Sequence, residues 1–150
     1  MRRQKSFLAS KCFTIQVGNM NLTKYSRNKL LGTFKTWDVP KDFADPMYNY
    51  LVHGYHPGSC FTSVLANDFA GAIAGSHPSN TIEAFKALVR WMLVTVPYTA
   101  YGSYSAVNNW CVLKSVQRRA ILEELELIYT EEQEIWLVLK EEPTTEPHLY

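Results

Sequence analysis

Between Tyr50 and Phe69 the chain reads Tyr-Leu-Val-His-Gly-Tyr-His-Pro-Gly-Ser-Cys-Phe-Thr-Ser-Val-Leu-Ala-Asn-Asp-Phe. Gly54, Pro57 and Gly58 crowd into this stretch, and no helix runs through such a group. Apolar residues at helical spacing lie on both sides of it. The chain must therefore stop one helix, turn sharply and start another within a few residues. Asp45-Pro46 has the form of a helix opening, with Asp as N-cap and Pro at the first helical position. The helix before the turn is thus expected over about residues 46–52, stopped by Gly54. Ser59 is the expected N-cap of the next, over about 60–74. Its stripe is Phe61, Val64, Leu65, Phe69 and Ile73, at spacings of three and four.

The rest of the chain extends this helical pattern. Asn80-Thr-Ile-Glu83 resembles a capping box. The run Ile82, Phe85, Leu88, Val89, Met92, Leu93 and Val96 predicts an amphipathic helix closed by Pro97. Gly102-Ser103 predicts a further helix over about 104–114. Arg119, Ile121, Leu122, Leu125 and Ile128 predict a fifth. Residues 134–140 contain Ile135-Trp136-Leu137-Val138-Leu139, which suits a short C-terminal strand or a buried helical turn equally. With 47% apolar and 13% aromatic residues in 150, the chain can build a real core. The expected fold is mainly α: one compact domain of four to five helices over 40–128. A basic, partly disordered N-terminal arm (1–39) and an acidic C-terminal extension (129–150) flank it. Residues 21–41 read as a short helix or an adaptable arm.

Charge is distributed unevenly. Up to Lys41 there are nine Lys or Arg against Asp38 alone; from Ala120 onward there are nine Glu against Lys140 alone. Such ends suit a nucleic acid or a charged partner, or they neutralise one another. Cys12, Cys60 and Cys111 are odd in number and widely spaced, which suits reduced thiols and a cytoplasmic protein. No apolar run reaches the roughly 18 residues of a membrane span.

Several chemistries fit the turn. His53, His56 and Cys60 have a ligand-like spacing, but the paired signatures of zinc sites are missing. Ser59 with His53 or His56 and Asp68 contains the parts of a hydrolytic triad, without the strand–turn–helix context of a nucleophile elbow. A third reading is an anion site. Amides at Ser59, Cys60 and Phe61 would be unpaired at a helix start, Gly54 and Gly58 would leave room, and His53 or His56 would donate. Against it, Ser59 and water can satisfy those amides. A fourth reading places nucleic acid or a protein partner on Lys24, Arg27, Lys29, Lys35 and Trp37, where cations and aromatics interleave. No metal, cofactor or catalytic residue is assigned.

The pattern Tyr50-x-x-His53-Gly54-x-x-Pro57-Gly58-Ser59-x-Phe61-x-x-Val64-Leu65-x-Asn67-Asp68-Phe69 resembles a family of short bacteriophage proteins. Val89–Val96, Gly102-Ser103 and Trp110 resemble its later part, so the resemblance covers about residues 40–112. It implies a compact helical fold and a viral origin, with no catalytic residue. His56 and Cys60 fall where the family has no fixed ligand type. Small phage proteins often act by binding host factors. The expected function is a non-enzymatic binding protein in the host cytoplasm. Its target would be a host defence or transcription protein, or a phosphate-bearing signalling nucleotide. A nucleic-acid-binding accessory protein and a small hydrolase are the alternatives, and self-association is open.

Overall fold

The computed structural model describes residues 21–141. Eight α-helices follow one another: α1 (Lys24–Thr36), α2 (Lys41–His53), α3 (Ser59–Leu65), α4 (Phe69–Ala74), α5 (Ile82–Thr95), α6 (Tyr104–Val112), α7 (Ser115–Glu124) and α8 (Glu131–Glu141). A single 3-10 turn, Tyr98–Ala100, links α5 to α6. The described residues contain no strand. None of their helices is long and apolar enough to cross a membrane.

The mainly helical expectation is met, while its finer detail is corrected. The helix expected over 60–74 is two helices, because Asn67 takes a left-handed φ of 66° and Asp68 caps a new start. The first core helix begins at Lys41, and Pro46 lies inside it. Residues 134–140 belong to α8 and form no strand. The expected boundaries at 39/40 and 128/129 do not divide the packing. Leu30 and Phe34 of α1 are buried in the same core as α2 and α5, and Ile128 is buried at the approach to α8. What was expected of residues 1–20 and 142–150 lies outside the described residues.

Helix α2 is the centre of the packing. It buries Phe43, Met47, Tyr50 and Leu51, spaced to line one stripe. Phe43 meets Phe61 and Phe85 at ring-centroid distances of 5.0 and 5.1 Å. On the neighbouring flank Trp91 stacks on Phe34 at 4.4 Å and donates its indole N–H to Thr33 Oγ1 at 2.9 Å. The buried Trp91, Tyr50 and Trp110 each have a partner for the polar handle of the ring. Tyr50 donates to the Ala100 carbonyl at 2.7 Å, and Trp110 donates to the Tyr50 carbonyl at 3.0 Å.

The end of α2 is built around a buried cation. Gly54 ends the helix in the left-handed region at φ 73°. Arg118 of α7 is 2% exposed. It donates Nε to the Val52 carbonyl at 3.0 Å and Nη1 to the Leu113 carbonyl. Both acceptors sit at helix C-terminal ends, where the peptide dipoles concentrate negative charge. They stand in for the carboxylate that a buried guanidinium otherwise needs. A Cβ on Gly54 would lie 2.6 Å from Arg118 Nη1 and 3.2 Å from the Cys111 carbonyl.

A second polar cluster joins the ends of the described chain. Glu134 of α8 accepts from the Thr23 N–H at 3.2 Å and its hydroxyl at 2.9 Å. It also accepts from Arg119 at 2.8 Å. Burial pushes the Glu134 carboxyl up, but bonds from Ser26, Arg119 and Thr23 together outweigh it and hold the group below its ordinary value. Burial pushes the neighbouring Glu123 carboxyl up instead, so Glu134 is the acid with the stronger preference for its charge beside Arg119.

Three outcomes are expected. Gly54→Ala should lose more than about 1 kcal/mol of stability, because a left-handed Ala is strained and its methyl meets Arg118. Gly32→Ala, with open space around its Cβ in mid-helix, should gain roughly 0.5–1 kcal/mol; paired urea titrations measure both. For Glu134, a depressed carboxyl contributes stability above the unfolded value of 4.5 that is lost as the pH falls below it. Glu134→Gln should lower the melting temperature at neutral pH and lose less of it between about pH 5 and about pH 3 than the parent.

Candidate functional site

The residues singled out around the turn do not converge on one site. Gly58, not Ser59, is the N-cap of α3, at φ 97° and with no side-chain cap bond; Ser59 is the first helical residue. Gly54 packs against Arg118. His56 is exposed. Cys60 turns towards α4, its Sγ 3.4 Å from the Ala72 carbonyl, and burial pushes its thiol up. His53 sits beside the Tyr48 and Tyr55 rings at centroid distances of 6.4 and 5.3 Å. Burial, and then the Arg118 guanidinium, lower its pKa, which keeps it neutral at neutral pH. Its Nδ1 is buried without a hydrogen-bond partner, so Nδ1 orients no nucleophile. Asp68 is committed to capping α4. Among the described residues no three His, Cys, Asp or Glu side chains gather as a metal centre requires.

The cationic residues of α1 are likewise spread around a helix that is part of the core. Lys24 pairs with Glu141 at 2.6 Å, Arg27 donates to the Leu22 carbonyl at 3.0 Å, and Lys29 lies 4.4 Å from the centre of the Tyr129 ring. Trp37 is partly buried against the core. Lys35 is exposed in the last turn of α1. These placements tie Lys24, Arg27 and Lys29 into contacts within the chain.

A groove between α4 and α5 is the feature that most resembles a binding site. Phe69, Ala72 and Ile73 of α4 form one wall, and Ile82, Phe85 and Val89 of α5 form the other. Its volume is about 350 Å³. Ile73 and Ile82 are 45% and 57% exposed, although both are large aliphatic side chains that water disfavours. Lys86 and Arg90 line it from α5, both exposed. Glu83 lies 3.6 Å from Lys86.

The α4 wall has only six residues and depends on its cap. Asp68 Oδ1 accepts from the Gly71 N–H at 3.0 Å, and Oδ2 accepts from the Tyr104 hydroxyl at 2.6 Å. Ser63 Oγ lies 3.1 Å from the same hydroxyl. The Tyr104 bond, then the Gly71 bond, hold the Asp68 carboxyl below its ordinary range. One carboxylate thus ties α4 to α6 and, through Tyr104, to α3. The groove was not visible in the sequence, since its walls come from separate helices. Its apolar residues were visible only as stripe residues of two separate helices, of which Phe69, Ile73 and Ile82 prove exposed. Arg118 was missed as well. It shares an inward stripe with Ser115 and Leu122, all three buried, and that spacing was the available clue.

Comparison with protein-family models, with curated proteins and with solved structures gives no match to the chain. The functional reading accordingly rests on the geometry.

Asp68→Ala should release the start of α4 while leaving the core in place. Amide hydrogen exchange should accelerate over residues 69–74 with little change in α2 and α5. Uniform acceleration across all helices would contradict the role given to Asp68.

Proposed function

We propose that the protein is a non-enzymatic binding protein, and that the groove between α4 and α5 receives an apolar segment of a partner protein. The observation that carries this reading is the set of large apolar side chains, Phe69, Ile73 and Ile82, left in solvent along one concave surface. Exposed apolar surface gathered in a groove marks interaction sites. The cations Lys86 and Arg90 at its edge favour a segment that carries carboxylates beside its apolar anchors. A helical or extended segment with two or three aliphatic or aromatic anchors would fill such a groove. The phage resemblance makes a host protein the natural source of that segment.

A displayed library of random peptides tests the proposal directly. Apolar sequences with Asp or Glu flanks should be enriched on the parent protein. Ile73→Asp should weaken the selected peptides at least about tenfold, the size expected for loss of a central apolar anchor. Lys86→Glu with Arg90→Glu should abolish the acidic preference. Enrichment that ignores both sets of substitutions, or no enrichment at all, would sink the reading.

A further inference from the structure

Helix α8 is poorly covered for its composition. Its only buried residue is Glu134, and it is held to α1 and α7 by polar bonds. Yet Ile135, Trp136, Leu137, Val138 and Leu139 follow in unbroken succession. Five successive residues at about 100° each run all the way round a helix. One face of α8 can rest on its own domain, and the opposite face is then apolar as well. Ile135, Trp136 and Leu139 are 62%, 59% and 59% exposed. They line a depression of about 550 Å³ shared with Tyr129 and Glu132. Within α8 the turn from Ile135 to Leu139 is thus apolar all the way round, more than its own domain covers.

The charges on the outer face indicate what covers it. Taking Glu134 as the inward position, a rotation of about 100° per residue puts Glu132, Trp136, Leu139 and Lys140 on the outward side. Lys140 Nζ indeed lies 4.5 Å from the centre of the Trp136 ring. Glu132 and Lys140 stand four residues on either side of Trp136. In an antiparallel pair of α8 helices with its two-fold axis at Trp136, Glu132 of each copy therefore comes opposite Lys140 of the other. The pair repeats twice by symmetry, and the two helix dipoles oppose each other favourably. We infer that the outer face of α8 binds a second copy of this chain, through an antiparallel α8–α8 contact centred on Trp136.

The contact is small. One face of an 11-residue helix measures roughly 16 Å by 10 Å, well short of the about 800 Å² per partner of a standard interface. The contact is accordingly weak and reversible, and the dimer forms only at high protein concentration.

Sedimentation equilibrium of the full chain from about 5 to about 500 µM, a span that brackets micromolar affinity, reads the outcome. The parent should pass from monomer to dimer. Trp136→Glu should remain monomeric with an unchanged circular dichroism spectrum. Lys140→Glu should weaken the dimer about tenfold, since it sets Glu against Glu at two symmetric places. Glu132→Lys combined with Lys140→Glu should restore it, which only the antiparallel register predicts. A parent that stays monomeric throughout, or a dimer indifferent to Trp136→Glu, overturns the inference. So does a charge swap that fails to rescue. If the monomer shields Trp136 from acrylamide quenching and deletion of residues 1–19 unshields it, the occupant is the chain's own N-terminal segment and the inference also falls.

Discussion

The buried guanidinium of Arg118 is the contact on which the arrangement of helices depends. Among the described residues its acceptors are the Val52 and Leu113 carbonyls, and no carboxylate joins them. Those two groups end α2 and follow α6, so a single side chain from α7 fixes two helix ends at once. An interior cation is tolerable only where negative charge is already in place. Here the ends of two helices supply it. Gly54 completes the arrangement, since any larger residue would occupy the space of the guanidinium. The sharp turn after α2 is thus a packing requirement of Arg118. Its glycine serves the helix end, and His53 is displaced into a pocket of aromatic rings.

Much of the fold was legible because local signals agreed with it. The stripe from Ile82 to Val96 became α5, closed before Pro97, and Ser103 became the cap of α6. The stop at Gly54 was readable because a left-handed residue there favours glycine. Legibility failed where one residue type serves two geometries. Asn67 and Asp68 read as tolerated polar residues inside a helix, but they are a left-handed break and a new cap. Pro46 read as a helix start and lies within α2, whose first turn is opened by Pro40 instead. The five apolar residues of α8 were ambiguous between strand and helix, and Glu134 decided the matter by reaching Thr23 and Arg119.

The candidate groove was far less legible than the fold. Its walls come from residues separated by a turn and by a helix cap, and nothing in their order shows that they face one another. Composition gave the apolar content but not its placement. The exposed Phe69, Ile73 and Ile82 carry meaning only once the break at Asn67 turns α4 out of line with α3. The oppositely charged ends of the sequence prove to be partly neutralised within the chain, through the pairing of Lys24 with Glu141.

The joining of Thr23 to Glu134 also sets a clock. The two residues are 111 positions apart in sequence, so the opening turn of α1 waits for nearly the whole chain before it meets its acceptor. At typical synthesis rates that is a delay of roughly 5 to 20 s on the ribosome. During that interval Leu30 and Phe34 can already pack against α2, which follows at once in sequence. Helix α8 is made after α1 and α7, the helices it bonds to, so the Thr23–Glu134 contact is among the late, long-range ones of the described residues.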